Sequence, residues 1–511
     1  MQTSFLNVFK YNFSGQIIAR ICSFAINLYL IRHVDPSLMG FLFVRMTLLY
    51  NTIGFLSREP LRKTCLSPSL SVKESLHYAL LSPLLYMVLS VIGYWLWWCL
   101  PFPELDLTDR QYGNVILSFT FSALIEGIAE PVAILSLKLG ENAHFAFAQA
   151  ILTLLQKIIV FVLLLANTNA LTAFCVAQVG ASLFYTAVHF LKFWRHYSII
   201  INRSFTGSWI SNFVSYASYE KKYLSLIGTL IFHSLLKQLI TDGSSYVMAF
   251  TKILPLKIQA VYEAVERLAS LVARIILTPM EESAAIYYSS NMRQSSVNKD
   301  VPKKILSNFV ALLRLIIVLG IVVCVFGIPY SKIVVQFYGA ELLSENDGAS
   351  LLSLYAIYLL FMAINGIVEC FAFASMDAPK IFSHGAFLMV SSMIHIFLNV
   401  VLSYFIGAPG FIIANCLNTI FRIVYNWKHI KALGPSTSQI HISEFLPSFT
   451  LCVLLVLTFF LTTISYFLFG TAGGILHTIA HIAVGGVMFG LIGAYLYQVE
   501  DLFTPLLEKN D

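Results

Sequence analysis

Long apolar runs recur along the whole chain, and they restrict its fold more than any other feature. Roughly 20 apolar residues in a helix suffice to cross the hydrocarbon core of a bilayer. About fourteen stretches reach this length: 8–31, 38–57, 76–100, 113–136, 146–165, 170–192, 224–250, 255–278, 306–328, 349–373, 381–403, 408–430, 446–469 and 474–497. Because lipid offers no hydrogen-bond partner to an open backbone, each stretch must be helical. The sequence predicts an all-α polytopic membrane protein with about 14 transmembrane helices.

Charged residues lie inside many of these runs. Eight are basic: Arg20, Arg45, Lys157, Lys237, Arg267, Arg274, Arg314 and Arg422. Five are acidic: Glu126, Glu130, Glu263, Glu266 and Glu369. A lone charge at the centre of a bilayer costs about 2.5–3.5 kcal/mol on insertion scales. The helices must therefore shelter these side chains in a polar interior, which in a membrane protein is typical of a path for a polar or charged substrate.

The composition excludes several other classes of protein. The chain is 58% hydrophobic and 11% charged, whereas soluble domains carry about 25% charged residues. Its net charge of +6 is modest, and we expect no nucleic-acid partner. The eight cysteines form no C-x-x-C pair and are typical of small buried hydrophobic residues. The sequence contains no G-x-x-x-x-G-K-S/T loop, no H-E-x-x-H motif and no metal-spaced Cys/His cluster. We therefore expect no enzymatic activity, no cofactor and no metal site.

The loops between the runs predict orientation and domain organisation. Lys and Arg concentrate in the loops Arg58–Lys73, Lys192–Lys222 and Arg293–Lys304. The positive-inside rule then puts these loops and both termini in the cytosol. The longest loop separates six helices from the next six, and two more helices follow. This predicts an N-lobe at 1–195, a cytosolic linker at 196–222, a C-lobe at 223–432, and two further helices with a cytosolic tail at 433–511.

Polar residues form stripes along single helical faces. In the first run Asn12, Gln16, Arg20, Ser23 and Asn27 follow spacings of three or four. Similar stripes occur in four further runs: Ser118, Ser122, Glu126 and Glu130; Gln259, Glu263, Arg267, Ser270 and Arg274; Ser392, His395, Asn399 and Ser403; and Asn415, Asn418 and Arg422. Such faces either hold helices together or line a polar cavity. Glu263 and Arg267 are spaced to pair within one helix, and we expect that they do.

The basic residues indicate which ligand a polar interior would take. No acidic residue in the same run is placed to neutralise Arg20, Arg45 or Lys157. If these side chains converge, their natural partner is a phosphate or diphosphate, because arginine binds such oxygens bidentately and stays charged when buried.

Several longer strings carry a family resemblance. They are VRMTLLY at Val44–Tyr50, FLSREPLRKTCLS at Phe55–Ser67, LLKQLITDGSSYVMAF at Leu235–Phe250, LVARIILTPMEES at Leu271–Ser283, INGIVECFAFASM at Ile364–Met376 and GFIIANCLN at Gly410–Asn418. Together they closely resemble the eukaryotic oligosaccharide translocation protein family of the endoplasmic reticulum, within the multidrug/oligosaccharidyl-lipid/polysaccharide exporter superfamily. The resemblance implies two six-helix lobes in a V, two extra C-terminal helices, and a multi-pass protein of the endoplasmic reticulum membrane. It implies a flippase that moves a dolichol-diphosphate oligosaccharide from the cytosolic to the lumenal leaflet.

The resemblance also selects candidate site residues, since most of them lie in these strings. We expect Arg20, Arg45, Arg58 and Arg62 to hold the diphosphate, and Lys157, Lys237 and Arg274 to add positive potential. The expected residues of the polar cavity or gate are Asn27, Glu59, Glu281, Glu282, Glu369 and Asn415.

Two alternatives stay open at this point. A cation-coupled exporter of small molecules on the same fold would have an acidic cavity, and the pairs Glu126/Glu130 and Glu263/Glu266 are compatible with one. A non-transporting accessory factor of the dolichol-linked oligosaccharide pathway would bind the glycolipid without moving it.

Overall fold

The computed structural model describes residues 22–67, 70–100, 105–197, 221–294, 301–470 and 474–498, which form helices joined by short turns and connections. The contacts divide the chain into two compact units, Met1–Ala260 and Val261–Asp511. The dividing point lies inside a helix, Leu256–Val272. The predicted lobe and linker boundaries at 195 and 222 stay a prediction.

The helices of the first unit are numbered α1 to α8. They are α1 (22–33), α2 (Pro36–Cys65), α3 (Val72–Trp98), α4 (Asp109–Lys138), α5 (Asn142–Leu165), α6 (Ala170–Lys192), α7 (Lys221–Thr241) and α8 (Gly243–Phe250). A π-helical turn, Phe41–Met46, widens α2 near its start.

The next helix joins the two units, and the rest belong to the second. They are α9 (Leu256–Val272), α10 (Thr278–Gln294), α11 (Lys303–Glu345), α12 (Gly348–Ala374), α13 (Ala378–Ile406), α14 (Ala408–Lys431), α15 (Pro435–Ser438), α16 (Phe449–Ser465) and α17 (Ile475–Gln498). A 3₁₀ turn, Ile442–Phe445, lies between α15 and α16.

Twelve helices of the described chain are long and apolar enough to cross a membrane. They fall on twelve of the predicted runs, which confirms the polytopic all-α class. The predicted run 8–31 lies mostly outside the described residues. The run 255–278 forms α9 and a π-helical turn. It contains too many charged residues to count among the twelve candidate membrane-spanning helices. The count of fourteen is therefore approximate.

Close approach between α3 and α4 anchors the first unit. Gly127 of α4 faces the buried ring of Tyr86, and a side-chain carbon at Gly127 would lie 2.5 Å from that ring. Nearby, Ala129, Ala148 and Ala181 form a buried cluster between α4, α5 and α6. Small residues of this kind let membrane helices pack closely, so α4 can bring its polar face near the helices around it.

Aromatic packing anchors the second unit. The buried rings of Phe309 and Phe371 lie 4.2 Å apart between centroids, and Tyr288 contacts Phe371 edge-on at 5.2 Å. Trp427 and Phe445 extend this cluster. It joins α10, α11, α12 and α14 to the 3₁₀ turn.

Candidate functional site

The first unit contains a cavity of about 760 Å³ between α2 and α7. Its lining residues recur along one face of α2 and along the last turns of α7. They are Asn51, Phe55, Arg58, Glu59, Arg62, Lys63, Leu66, Gln238, Thr241 and Asp242. Three of the predicted site residues, Arg58, Glu59 and Arg62, therefore line one cavity. We call this space the α2–α7 cavity.

Two acidic residues of α4 lie behind the two arginines of α2. Arg62 binds Glu130 through two parallel hydrogen bonds, Nε to Oε1 at 2.5 Å and Nη2 to Oε2 at 2.8 Å. Arg58 Nη1 lies 3.9 Å from Glu126 Oε2. The bases are four residues apart on one helix and the acids four apart on the other, so two matching faces meet.

Each partner in this arrangement is fixed by further contacts. Tyr50 and Ser182 donate hydrogen bonds to Glu126 at 2.5 and 2.7 Å. Arg58 Nε donates to the carbonyl of Gly54 at 3.1 Å. The Arg62 guanidinium also lies 4.8 Å above the ring of Phe145. These contacts hold the charged groups in place without needing a ligand.

The outer side of the cavity carries a second charge cluster. Glu59 accepts from Lys63 at 2.7 Å and from Lys237 at 3.1 Å. The Lys237 ammonium lies 5.4 Å from the ring centre of Phe55. Lys237 is thus brought to the same site as Arg58, Glu59 and Arg62.

The formal charges at the site sum to zero, but the basic side chains are more exposed than the most buried acidic ones. Four bases (Arg58, Arg62, Lys63 and Lys237) meet four acids (Glu59, Glu126, Glu130 and Asp242). The side chains of Glu126 and Glu130 are only 2% and 1% exposed, whereas those of Arg58 and Arg62 are 19% and 22% exposed and Lys63 and Lys237 more so. A ligand in the cavity therefore meets the cations first, and the most buried acids lie behind them.

Three other predicted residues of the first unit do not line this cavity, namely Arg45, Lys157 and Asn27. Arg45 is buried in the π-helical turn of α2, where its carbonyl accepts from Trp97 Nε1 at 2.9 Å. Lys157 on α5 donates to Ser23 on α1. Asn27, also on α1, has a buried Oδ1 without a hydrogen-bond partner among the described residues. Arg20 lies outside the described residues.

In the second unit, two of the remaining predicted residues make polar contacts and two others are exposed. Glu369 binds Arg422 Nη2 at 2.5 Å and Asn365 Nδ2 at 2.9 Å. Asn415 Oδ1 lies 2.7 Å from His395 Nε2. Arg274 and Glu282 are exposed. The expected pair within α9 is confirmed, since Arg267 Nε lies 2.7 Å from Glu263 Oε1.

Glu281 sits at the edge of this second polar group. Its carboxyl packs against Gly366 of α12, where a side-chain carbon would lie 1.9 Å from Oε1. Its backbone carbonyl accepts from the Cys370 thiol at 3.6 Å. Burial, and then the negative charge of Glu369, raise the pKa of Glu281 to about 7.

This raised pKa predicts a pH-dependent stability. Because the folded pKa of about 7 exceeds the ordinary 4.5, the folded protein binds this proton more tightly than the unfolded chain. The resulting stabilisation is complete below pH 4.5 and is lost as the pH rises through 7. The full difference is worth ~3 kcal/mol, which solvent screening of a half-buried carboxyl reduces to ~1–2 kcal/mol. Glu281→Gln should therefore raise the thermal midpoint at pH 8 and leave it unchanged at pH 4.5.

The matched control for this experiment is Glu282→Gln, because Glu282 is the exposed neighbour on the same helix. It should leave the midpoint unchanged at both pH values. Equal midpoints for Glu281→Gln and the unmodified protein at pH 8 would contradict the assignment.

Comparison with known proteins places these features in a family. The model of the Rft protein family matches residues 4–509. The chain belongs to the Rft protein family. It is 40% identical to the Man(5)GlcNAc(2)-PP-dolichol translocation protein RFT1 of Caenorhabditis elegans, over 98% of this chain and 97% of that protein. It is 31% identical to the protein of the same name from Xenopus tropicalis, over 94% and 91% of the two chains.

Solved structures show the fold of this Rft family member. The lipid II flippase MurJ, in an inward closed conformation, matches with a TM-score of 0.65 over 96% of this chain and 99% of that one, at 13% identity. The chain therefore shares the fold of that solved structure.

Sequence reasoning missed several residues of the α2–α7 cavity in this Rft chain. Lys63, Gln238 and Asp242 line it, and Glu126 and Glu130 back it. The sequence does contain a signal for Glu126 and Glu130. They are four residues apart, as Arg58 and Arg62 are, and they carry the opposite charge.

Proposed function

We propose that this protein moves a dolichol-diphosphate-linked oligosaccharide from the cytosolic to the lumenal leaflet of the endoplasmic reticulum membrane, with both termini in the cytosol. Its relatives are named as translocation proteins for Man(5)GlcNAc(2)-PP-dolichol. The observation that carries the proposal is the α2–α7 cavity, where partly exposed cations stand in front of deeply buried acids. No chemical conversion of the substrate is part of this function.

The geometry provides donors for a diphosphate. Among the described residues, Arg62 uses Nε and Nη2 for Glu130 and makes no hydrogen bond through Nη1. Arg58 Nη1 is too far from Glu126 for a hydrogen bond. With the ammonium group of Lys63 these donors line one cavity, and Lys237 adds a further positive charge through its ion pair with Glu59. Phosphate oxygens accept strongly from such groups, because the hydrogen bonds are charge-assisted.

The buried acids stabilise the arginines of this site in the absence of substrate. Glu130 neutralises Arg62 when the cavity holds no anion, so that the guanidinium is not left alone in a membrane. An arriving diphosphate competes with Glu126 and Glu130 for the arginines. We infer that partner exchange between carboxylate and diphosphate releases the substrate after transfer, while the glycan stays in polar space and the dolichol chain in lipid.

The same pairing argues against the cation-coupled exporter. Glu126 and Glu130 are almost inaccessible, and their oxygens already accept from Tyr50, Ser182 and Arg62. A cationic substrate entering this cavity would meet arginine and lysine first.

Reconstitution tests the proposal directly. The purified protein is placed in liposomes with radiolabelled dolichol-diphosphate oligosaccharide, and binding and leaflet transfer are measured separately. Arg58→Gln should weaken binding about 10–150-fold, which corresponds to loss of a charge-assisted hydrogen bond worth ~1.5–3 kcal/mol. Transfer should fall in parallel.

Arg110→Gln is the matched control, since Arg110 is exposed in the first turn of α4 and does not line the cavity. It should bind and transfer normally. Binding without transfer by the unmodified protein would establish the non-transporting accessory reading instead. Normal binding by Arg58→Gln would contradict the assignment of the diphosphate to this cavity.

A further inference from the structure

The second unit contains a cavity of about 520 Å³, whose lining includes none of the residues assigned above to substrate binding. One wall is the first three turns of α11, where Lys303, Ser307 and Arg314 recur on one face at spacings of four and seven. The other wall is the segment around α15 and the 3₁₀ turn, with Gln439 and Glu444. We call this space the α11 cavity.

The position of the α11 cavity along its helix places it at a membrane boundary. Arg314 lies inside the apolar run 306–328, eight residues after its start. Lys303 lies eleven residues earlier, which is ~16 Å along a helix. The helix has 43 residues, about 64 Å, and the hydrocarbon core needs only ~30 Å of it. The cavity therefore crosses the membrane boundary: Lys303 lies outside the apolar run 306–328 and Arg314 lies inside it.

The opposite face of the same turns is buried in the protein. Ile305, Phe309 and Leu313 are 5%, 0% and 2% exposed. Packing on that side fixes the rotation of α11, so that Lys303 and Arg314 are held toward the cavity. The basic pair is thus built into the fold of the second unit.

The charge and shape of the cavity fit a phosphorylated lipid. Two cations face one acid, so the lining has a formal charge of +2 −1 = +1. Glu444 is partly engaged, because Oε1 accepts from the backbone nitrogen of His441 at 2.9 Å. Leu306, Val310 and Ile440 give the same cavity an apolar side. A phosphate can meet the cations while glycerol and the first acyl carbons meet the apolar side.

We propose that the α11 cavity binds the phosphorylated headgroup of an anionic glycerophospholipid from the leaflet where α11 begins. Basic pockets of membrane proteins at this depth recognise such headgroups. The two cavities share no lining residue, and the ligand proposed here is a membrane phospholipid rather than the glycolipid substrate.

The test uses the full-length protein purified in a neutral detergent, with binding read by native mass spectrometry. The probe is dioctanoyl phosphatidylinositol 4-phosphate. Dioctanoyl phosphatidylcholine supplies the same chains with a neutral headgroup, and inositol 1,4-bisphosphate supplies the phosphates without chains. We expect the anionic lipid to bind at least 10-fold more tightly than either. Equal binding of phosphatidylcholine would overturn the proposal, and equal binding of the free inositol phosphate would replace it with a soluble-anion site.

Variants locate the binding in this cavity. Lys303→Gln, alone or with Arg314→Gln, should weaken lipid binding at least 10-fold. The single variant changes an exposed residue and so keeps the test valid if the double variant does not fold. Glu444→Gln keeps an oxygen for the His441 hydrogen bond and removes the negative charge, so it should tighten binding several-fold. Lys304→Gln is the matched control, because Lys304 is the exposed neighbour outside the lining. A loss with Lys304→Gln as large as with Lys303→Gln would show a diffuse surface effect and refute the site.

Discussion

Arg62→Leu should destabilise the protein by about 3–5 kcal/mol, because removing one partner leaves the other as an uncompensated buried charge. The variant removes Arg62, the partly exposed partner, and leaves the carboxylate of Glu130, which is only 1% exposed. The double variant Arg62→Leu/Glu130→Leu should recover most of this loss, since replacing a whole buried ion pair with apolar groups is often nearly neutral. The thermal midpoint in a mild detergent measures both.

The control for this pair is the neighbouring residue Lys63. Its ion pair with Glu59 is surface-like, with the lysine side chain 44% exposed, and such pairs contribute about 0–1 kcal/mol. Lys63→Leu should therefore hardly change the midpoint. A double variant no more stable than Arg62→Leu would contradict the buried-pair account.

The double variant also separates stability from function. It should fold, yet it lacks the Arg62 guanidinium that we propose binds the diphosphate. Glycolipid binding should then fall with the protein intact, which distinguishes a binding role from a purely structural one. A stable double variant with normal binding would assign Arg62 to folding alone.

The sequence could predict the spans because hydropathy decides where a helix lies in a membrane. It could not predict the full length of α11, Lys303–Glu345, from the apolar run 306–328. Beyond residue 328 the helix continues on a mixture of polar and apolar residues, and their hydropathy alone does not show where the helix ends.

Pairing depends on how far the partners are separated along the chain. Glu263 and Arg267 pair within one helix, and their spacing alone predicts it. Arg62 and Glu130 are 68 residues apart, and Arg422 and Glu369 are 53 apart. Those pairs depend on how each helix is rotated against its neighbour, which close packing sets. A polar stripe in the sequence therefore shows that one face of a helix is polar. It does not show which neighbouring helix that face contacts.

Helix approach at Gly40 gives a second large expected effect. A side-chain carbon at Gly40 would lie 2.1 Å from the backbone oxygen of Leu256 and 3.3 Å from the nitrogen of Ala260. Both atoms belong to the main chain at the start of α9, so no rotamer change can make room. The preceding turn is itself held, because Gln259 Nε2 donates to the carbonyls of Met248 and Leu254 at 3.2 and 2.9 Å. Gly40→Ala should destabilise the protein by about 3 kcal/mol, the upper end of ordinary overpacking.

Gly180→Ala makes the matched comparison within the same unit. Its added carbon would lie 3.5 Å from Ile159 Cδ1, an ordinary van der Waals contact with a movable side chain. Alanine is also better than glycine in a helix by about 1 kcal/mol, so this variant should be neutral or slightly more stable. Helix propensity favours alanine equally at both positions, and the difference between the two thermal midpoints therefore measures the backbone contact at Gly40. Similar midpoints for the two variants would mean that α2 and α9 do not approach as closely as the structure shows.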